Sequence, residues 1–138
     1  MRTLIVDDSF LFRKMIADVI QEFGRYDVAC DGREAMHALD LSWSRNESYD
    51  LITLDVDMPR ASGREVLNFL RSREAELGIQ PGHGAKVIMT TCHKDSSTVL
   101  GSFRDGCESY LVKPLSGAKI LREMRRLELV CDASHAVR

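Results

Sequence analysis

The chain has 138 residues, of which 44% are hydrophobic and 29% are charged, and its formal net charge is −2. This length suits one domain with a single core, and the near-neutral charge gives no support for bulk binding to nucleic acid or membranes. The sequence has no apolar run near the roughly 20 residues that cross a bilayer, no signal peptide and no C-x-x-C pair. We therefore expect a cytoplasmic protein with reduced thiols, no membrane attachment and no direct nucleic-acid binding.

The first part of the chain alternates short strands with helices. An apolar strand at 4–6 precedes two acids, and a helix capped by Ser9 follows, with apolar residues at three- and four-residue spacing up to Gly24. Residues 26–30 form a weaker strand, after which a second amphipathic helix begins. Residues 42–49 are polar and predict a loop.

The centre of the chain carries the most distinctive pattern. Residues 51–54 form an apolar run that ends in Asp55-Val56-Asp57 and a proline turn, which is typical of a buried parallel strand. Ser62 and Glu65 form a capping box that starts a third helix.

The last part repeats the alternation twice more. A strand at 86–90, a helix of poor propensity at 95–105 and a strand at 109–112 precede a helix that begins after Ser116. The apolar residues that indicate an inner face for the weak helix are Val99, Leu100 and Phe103.

Five strand–helix repeats predict a three-layer, doubly wound α/β sandwich with a parallel sheet and helices on both faces. We expect one domain over residues 1–130 and a loose tail over 131–138. Because parallel strands end at one edge, polar residues after different strands should meet there. These residues are Asp7, Asp8, Asp55, Asp57, Thr91 and Lys113.

The chemistry of that set favours phosphoryl transfer. Two carboxylates about 4 Å apart repel by roughly 4 kcal/mol, so several acids in one crevice require protonation or a cation. Ligands that are all oxygen favour Mg²⁺ or Mn²⁺. Lys113 and Thr91 add a positive charge and a hydroxyl, which suit transfer of a phosphoryl group to a carboxylate.

The ordered motifs resemble the receiver domain of two-component response regulators. They are Asp-Asp after the first strand, L-D-x-x-M-P after the third, Thr after the fourth and K-P after the fifth. The resemblance covers about residues 2–129 and implies a flavodoxin-like (βα)5 sandwich with strand order 2-1-3-4-5. It also implies a protein that is not an enzyme beyond its own phosphotransfer and autodephosphorylation.

The resemblance implies a role for each acid. Asp55 would accept a phosphoryl group from a histidine kinase. Asp8 would bind Mg²⁺ directly, Asp7 would bind it partly through water, and the backbone carbonyl of Asp57 would complete the protein ligands.

The same resemblance assigns the other site residues. The family's spacing before Lys113 selects Thr91, rather than Thr90, as the residue that moves toward the phosphoryl oxygens. Lys113 would pair with Asp55 and then with the phosphate, and its bond to Pro114 would be cis. Tyr110 would be the aromatic switch that turns inward.

Two residues depart from the usual pattern of the family. Asp57 stands two residues after the acceptor, and His93 stands two residues after Thr91. An acid beside a phosphoryl group of charge roughly −1.5 to −2 adds repulsion. We hypothesise that this pair tunes the lifetime of the phosphorylated state.

We expect a single-domain response regulator, with no output domain after residue 129. Its signal would leave through the surface of the 95–105 helix, the 109–112 strand and the last helix. Expected partners are a sensor histidine kinase or phosphotransfer protein and a downstream target, and phosphorylation-dependent dimerisation is left open.

Two different functions would also use an acid-rich strand end. Asp55-Val56-Asp57 resembles the D-x-D motif of haloacid-dehalogenase-like phosphatases, although the order of motifs is reversed and little chain is left for a substrate cap. A receiver fold that serves only as a binding module is the second possibility. Individually, the acids could be solvated or helix-capping residues.

Overall fold

The computed structural model describes residues 1–92 and 96–131, without the side chains of 96–98. Within these residues the chain alternates five strands with five helices. The strands are β1 (Arg2–Val6), β2 (Arg25–Ala29), β3 (Leu51–Asp55), β4 (Lys86–Thr91) and β5 (Ser109–Val112). The helices are α1 (Phe10–Ile20), α2 (Gly32–Ser44), α3 (Gly63–Glu76), α4 (Ser96–Asp105) and α5 (Gly117–Arg126).

The strands form one parallel sheet in the order β2-β1-β3-β4-β5, which confirms the predicted flavodoxin-like fold. β3 lies at its centre, and all five of its residues are buried. The register places Val6 beside Leu54 and Asp55 beside Thr90. The carboxyl ends of β1, β3 and β4 therefore lie side by side.

Alternating side chains of the strands build a core on each face of the sheet. Leu4 and Val6 pack in one cluster with residues of α2 and α3, whereas Ile5 packs in the other with residues of α1 and α5. Since successive strand residues point to opposite faces, this alternation is what a strand covered on both sides requires.

The predicted caps are present at three helices. Ser9 Oγ accepts the Phe12 N–H, and Ser116 Oγ accepts the Lys119 N–H. Ser62 and Glu65 form the predicted capping box through reciprocal bonds of 3.2 and 2.9 Å. These caps set the points at which α1, α3 and α5 leave the carboxyl edge of the sheet.

The loop predicted at 42–49 is wrong over its first three residues, because α2 continues to Ser44. Ser42 is buried, and its hydroxyl donates to the Leu39 carbonyl oxygen at 2.7 Å. Trp43 packs against Phe69 of α3, with ring centroids 6.2 Å apart. A serine that bonds its own helix can face inward, which polarity in the sequence does not reveal.

The inner face predicted for the 95–105 helix is also wrong for two of its three residues. Leu100 is 61% exposed and Phe103 is 45% exposed, whereas Gly101 and Ser102 are buried. Arg64 of α3 explains the inversion, since its guanidinium lies against Gly101 and donates twice to Asp105 at the end of α4. A polar bridge therefore joins α3 to α4, and apolar side chains of α4 face outward.

Three expectations from the sequence concern membrane attachment, His93 and the tail. No helix within residues 1–92 or 96–131 is both long enough and apolar enough to span a membrane. His93 and residues 132–138 of the expected tail lie outside the described residues.

Candidate functional site

Three predicted site residues meet in a buried ion-pair cluster at the carboxyl edge of the sheet. Asp7 follows β1, Asp55 ends β3 and Lys113 follows β5. Lys113 Nζ lies 3.0 Å from Asp7 Oδ2 and 3.4 Å from Asp55 Oδ2. The lysine side chain is 7% exposed, and both aspartates are almost fully buried.

The backbone around the cluster is fixed by bonds to neighbouring strands and helices. The Val56 N–H donates to the Thr90 carbonyl oxygen at 2.9 Å, and the Lys113 N–H donates to the Thr91 carbonyl oxygen at 2.6 Å. Gly63, the first residue of α3, lies so close to Asp55 that an added Cβ would be 2.2 Å from the Asp55 carbonyl oxygen. The first turn of α3 therefore packs directly against the backbone of Asp55.

Asp7 is held by residues of the turn that follows it. Its Oδ1 accepts the Ser9 N–H at 2.9 Å, and its carbonyl oxygen accepts a bond from Arg13 Nη1 at 2.9 Å. Arg13 was not among the predicted site residues. Its position on α1 gave no signal, because arginine on a helix usually faces solvent.

Burial and charge shift the pKa values of the cluster in opposite senses. Burial, followed by repulsion from Asp7, raises the pKa of Asp55 from 3.8 to about 6, although Lys113 opposes the rise. Burial by itself lowers the pKa of Lys113, but its close approach to the Asp7 and Asp55 carboxylates outweighs this and raises the pKa above its usual value. The lysine is therefore a permanent cation at neutral pH, whereas ionised Asp55 is destabilised by its surroundings.

The acids of the cluster fit a hard divalent cation. Ligand oxygens of Asp7, Asp8 and Asp55 all lie within 4.8 Å of one another, and Asp8 is exposed and so open to solvent. Asp7 Oδ2 is fully buried and has Lys113 Nζ nearby, but it accepts no hydrogen bond of normal geometry from any described residue. Oxygen donors with a free lone pair are the ligands that Mg²⁺ prefers.

The remaining predicted residues surround this cluster. Thr90 and Thr91 are both buried, with Thr90 beside Asp55 in the register and Thr91 beside Val112. Asp57 is exposed, and its N–H donates to Asp55 Oδ1 at 3.2 Å.

The last two family expectations for this edge concern β5 and the residue that follows it. Tyr110 is half-buried and packs against the core cluster on the α2–α3 side of the sheet. The Lys113-Pro114 bond is cis, as the family resemblance implied.

One aromatic contact of the cluster was not predicted. Lys113 Nζ lies 4.2 Å from the centroid of the Phe12 ring. In the sequence, Phe12 is simply one of the apolar residues at three- and four-residue spacing in the first helix. Its apolar spacing is the same for a core residue and for a residue that covers a charge, so only the tertiary structure separates the two.

Comparison with known proteins places this chain in the family that its ordered motifs resemble. The family model of the response regulator receiver domain matches residues 3–125. The chemotaxis protein CheY of Bacillus subtilis is 26% identical over 125 residues, which cover 91% of this chain and 95% of that protein. A protein-glutamate methylesterase/protein-glutamine glutaminase of Geobacter metallireducens is 31% identical over 137 residues, which cover 98% of this chain and 35% of that protein.

Solved structures show the same fold. A chain in the CheX-CheY-BeF3-Mg complex of Borrelia burgdorferi has a TM-score of 0.79 and 27% identity, with 93% of this chain and 89% of that chain covered. The chemotaxis protein CheY4 of Vibrio cholerae has a TM-score of 0.73 and 25% identity, with 91% and 97% covered. This chain thus spans nearly the whole length of its CheY-like neighbours.

Proposed function

Because this chain belongs to the response regulator receiver domain family, we propose that Asp55 accepts a phosphoryl group from a histidine kinase or a phosphotransfer protein. The observation that carries the proposal is a buried carboxylate, Asp55, that shares the Lys113 ammonium with Asp7 at the carboxyl edge of the sheet. Ligands of open α/β sheets bind at this edge. The domain would then act in two-component signalling as a phospho-acceptor whose chemistry is limited to its own phosphotransfer and dephosphorylation.

The two oxygens of Asp55 have different surroundings, which suits a nucleophile. Oδ1 accepts the Asp57 N–H, and Oδ2 faces the Lys113 ammonium. A bond forms between a carboxylate oxygen and phosphorus while the bond from phosphorus to the donor imidazole nitrogen breaks, and the electron pair returns to the imidazole. Lys113 offsets part of the charge that arrives, and the Thr91 hydroxyl would donate to a phosphoryl oxygen.

The carboxylates of Asp7, Asp8 and Asp55, with the Asp57 carbonyl oxygen, would hold the metal. Mg²⁺ supplies charge neutralisation at the phosphoryl oxygens when it is bound, and Mn²⁺ suits the same donors. The protein's part is to keep the donors in place. The Ser9 N–H and Arg13 do this for Asp7.

The surface of α4, β5 and α5 is the proposed output face. Leu100 and Phe103 are exposed apolar residues of α4, which supports docking of a target protein there. Lys119, Arg122 and Arg126 of α5 are all exposed, although Lys119 donates to the Pro114 carbonyl oxygen and Arg126 donates to Glu123 and to the Glu108 carbonyl oxygen. Thr91 and Tyr110 would couple the phosphoryl group to this face, and phosphorylation-dependent dimerisation would use it as well.

Intact-mass measurement after incubation with acetyl phosphate tests the proposal. With Mg²⁺ or Mn²⁺ we expect the mass of one added phosphoryl group, and with a chelator we expect none. Multiple turnover of a phosphate monoester such as p-nitrophenyl phosphate would instead favour the haloacid-dehalogenase-like phosphatase. Absence of phosphoryl uptake, together with binding to a purified histidine kinase that Asp55→Asn leaves unchanged, would favour a binding module.

The lifetime of the phosphorylated state should depend on Asp57. Asp57 is exposed beside the acceptor, and removal of its charge relieves repulsion of about 1 kcal/mol. We therefore expect Asp57→Asn to slow autodephosphorylation by about fivefold, measured as loss of radiolabelled phosphate after removal of the donor. Asp18→Asn on α1 is the charge-matched control and should leave the rate unchanged.

His93, the other half of the tuning hypothesis, lies outside the described residues. His93→Ala is the second variant to measure. If neither Asp57→Asn nor His93→Ala alters the rate, the tuning hypothesis is wrong.

A further inference from the structure

The Lys113 ammonium is enclosed by two carboxylates and one aromatic ring. Asp7 and Asp55 approach it at 3.0 and 3.4 Å, and the Phe12 centroid lies 4.2 Å away. The side chain of Lys113 is 7% exposed, so little of its charge is solvated by water. Every group that the ammonium contacts therefore contributes to where it rests.

An aromatic face differs from an aliphatic side chain at this position. The face of a phenyl ring carries partial negative charge and attracts a cation within about 6 Å, most strongly when the cation is desolvated. An aliphatic residue of similar size would fill the space but would leave that side of the ammonium without any electrostatic partner. The Phe12 ring thus supplies an attraction that ordinary core packing does not require.

The ring and Asp7 are positioned by the same short turn. The Ser9 N–H donates to Asp7 Oδ1, and Ser9 Oγ accepts the N–H of Phe12. Phe12 also packs against the apolar cluster shared by α1 and α5. The beginning of α1 therefore sets two of the three groups around the lysine in one geometry.

We propose that Phe12 is a positioning residue whose ring face holds the Lys113 ammonium between Asp7 and Asp55, where the lysine meets the phosphoryl group. This inference rests on the proposed function for its consequence in phosphorylation, but the placement of the lysine does not depend on it. Without the ring, the flexible Lys113 side chain would adopt other conformations, and its ammonium would lie beside Asp55 for a smaller fraction of the time.

Substitutions that keep or remove the aromatic face test the proposal. We expect Phe12→Leu to lower the rate of phosphorylation by acetyl phosphate by about tenfold. Phe12→Tyr keeps the aromatic face, so its rate should stay within about twofold of the wild type. Phe23→Leu is the matched control, since Phe23 packs against the same apolar cluster but follows the far end of α1. It should leave the rate unchanged. Equal rates for Phe12→Leu and the wild type would overturn the proposal.

A fluorinated series at position 12 removes the ring's negative face at nearly constant volume, so it avoids loss of packing. We expect the rate to fall progressively from phenylalanine to 4-fluoro- and 3,4,5-trifluorophenylalanine. A rate that does not depend on fluorination would show that Phe12 acts only by packing.

Nuclear magnetic resonance of the metal-free protein separates this proposal from the proposed function. The ring current should shift the Lys113 ε-methylene protons upfield, and Phe12→Leu should return them to their usual position. If the wild type takes up no phosphoryl group but shows this shift, the proposed function fails while the placement of the lysine stands. An unshifted resonance in the wild type would overturn the placement itself.

Discussion

Replacement of Asp55 by asparagine is expected to abolish phosphoryl uptake and, in the same metal-free protein, to raise the free energy of unfolding at pH 7 by about 3 kcal/mol. The first effect follows because an amide oxygen is a poor nucleophile. The second follows because burial and the Asp7 charge raise the pKa of Asp55 to about 6, so the ionised carboxylate destabilises the folded state. The residue proposed to carry the chemistry would thus be a source of instability.

The pH dependence of stability gives the sign of this effect. Between about pH 4 and pH 6 the folded protein holds a proton on Asp55 that the unfolded chain has already lost. The contribution of Asp55 to stability is therefore greatest at low pH and falls as the pH rises through about 6. Asparagine resembles the protonated carboxyl and should remove this fall.

Urea unfolding from pH 4 to pH 8 in the presence of a chelator measures the difference between the two proteins. Asp18→Asn, which removes an exposed carboxylate on α1, controls for net charge and should follow the wild type. Mg²⁺ should stabilise the wild type more than Asp55→Asn, because it neutralises the same repulsion. Parallel pH curves for Asp55→Asn and the wild type would contradict the prediction.

Replacement of Arg71 by methionine is expected to lower the free energy of unfolding by about 3 kcal/mol, because it leaves the buried Glu74 carboxylate and the partly buried Glu108 carboxylate without their cation. Arg71 Nη1 donates to Glu74 Oε1 at 2.7 Å, and Nη2 donates to both oxygens of Glu108 at 3.0 Å. Its other bonds reach the carbonyl oxygens of Gly106 and Ala85. The two glutamates also accept backbone N–H groups at the start of β4.

This arginine joins α3 to the amino-terminal ends of β4 and β5, at the edge of the sheet opposite Asp55. Its loss should therefore reduce stability without removing phosphoryl uptake by the molecules that remain folded. Arg73→Met is the matched control on the same helix, since its ion pair with Asp40 is exposed. We expect it to cost about 1 kcal/mol or less in urea unfolding. Equal effects of the two variants would show that burial of the Arg71 cluster contributes nothing.

The sequence alone was sufficient for the order of strands and helices along the chain and for the place where the acids meet. Short strand patterns bounded by polar turns marked all five strands, although the pattern of β2 was weak, and three serine caps were identified before their helices. Asp7, Asp55 and Lys113 could be brought together because parallel strands end at a common edge, so topology converts positions far apart in sequence into neighbours. The spacing of residue types along the chain therefore determined both the type of each element and the sheet edge at which these residues lie.

Only the tertiary structure decided which face of a polar or weakly apolar segment is buried. Gly101 is buried in α4 beside Arg64, which crosses to Asp105, and Ser42 is buried because its hydroxyl bonds to its own helix. Neither bond is visible in the periodicity of apolar residues. That periodicity indicates which apolar side chains are removed from water, but it does not show the hydrogen-bond partners that allow a polar group to be buried.

The same limit applies to the partners of charges. The position of Arg71 in the sequence gives no sign that its guanidinium bonds to Glu74 of α3, to the residue before β4 and to the residue before β5. Phe12 fits a core position equally well with or without a lysine above its ring. Chain order determined that Lys113 would reach the carboxyl edge, but directional contacts between distant segments decided what holds it there, because such contacts depend on three-dimensional distances that no local pattern encodes.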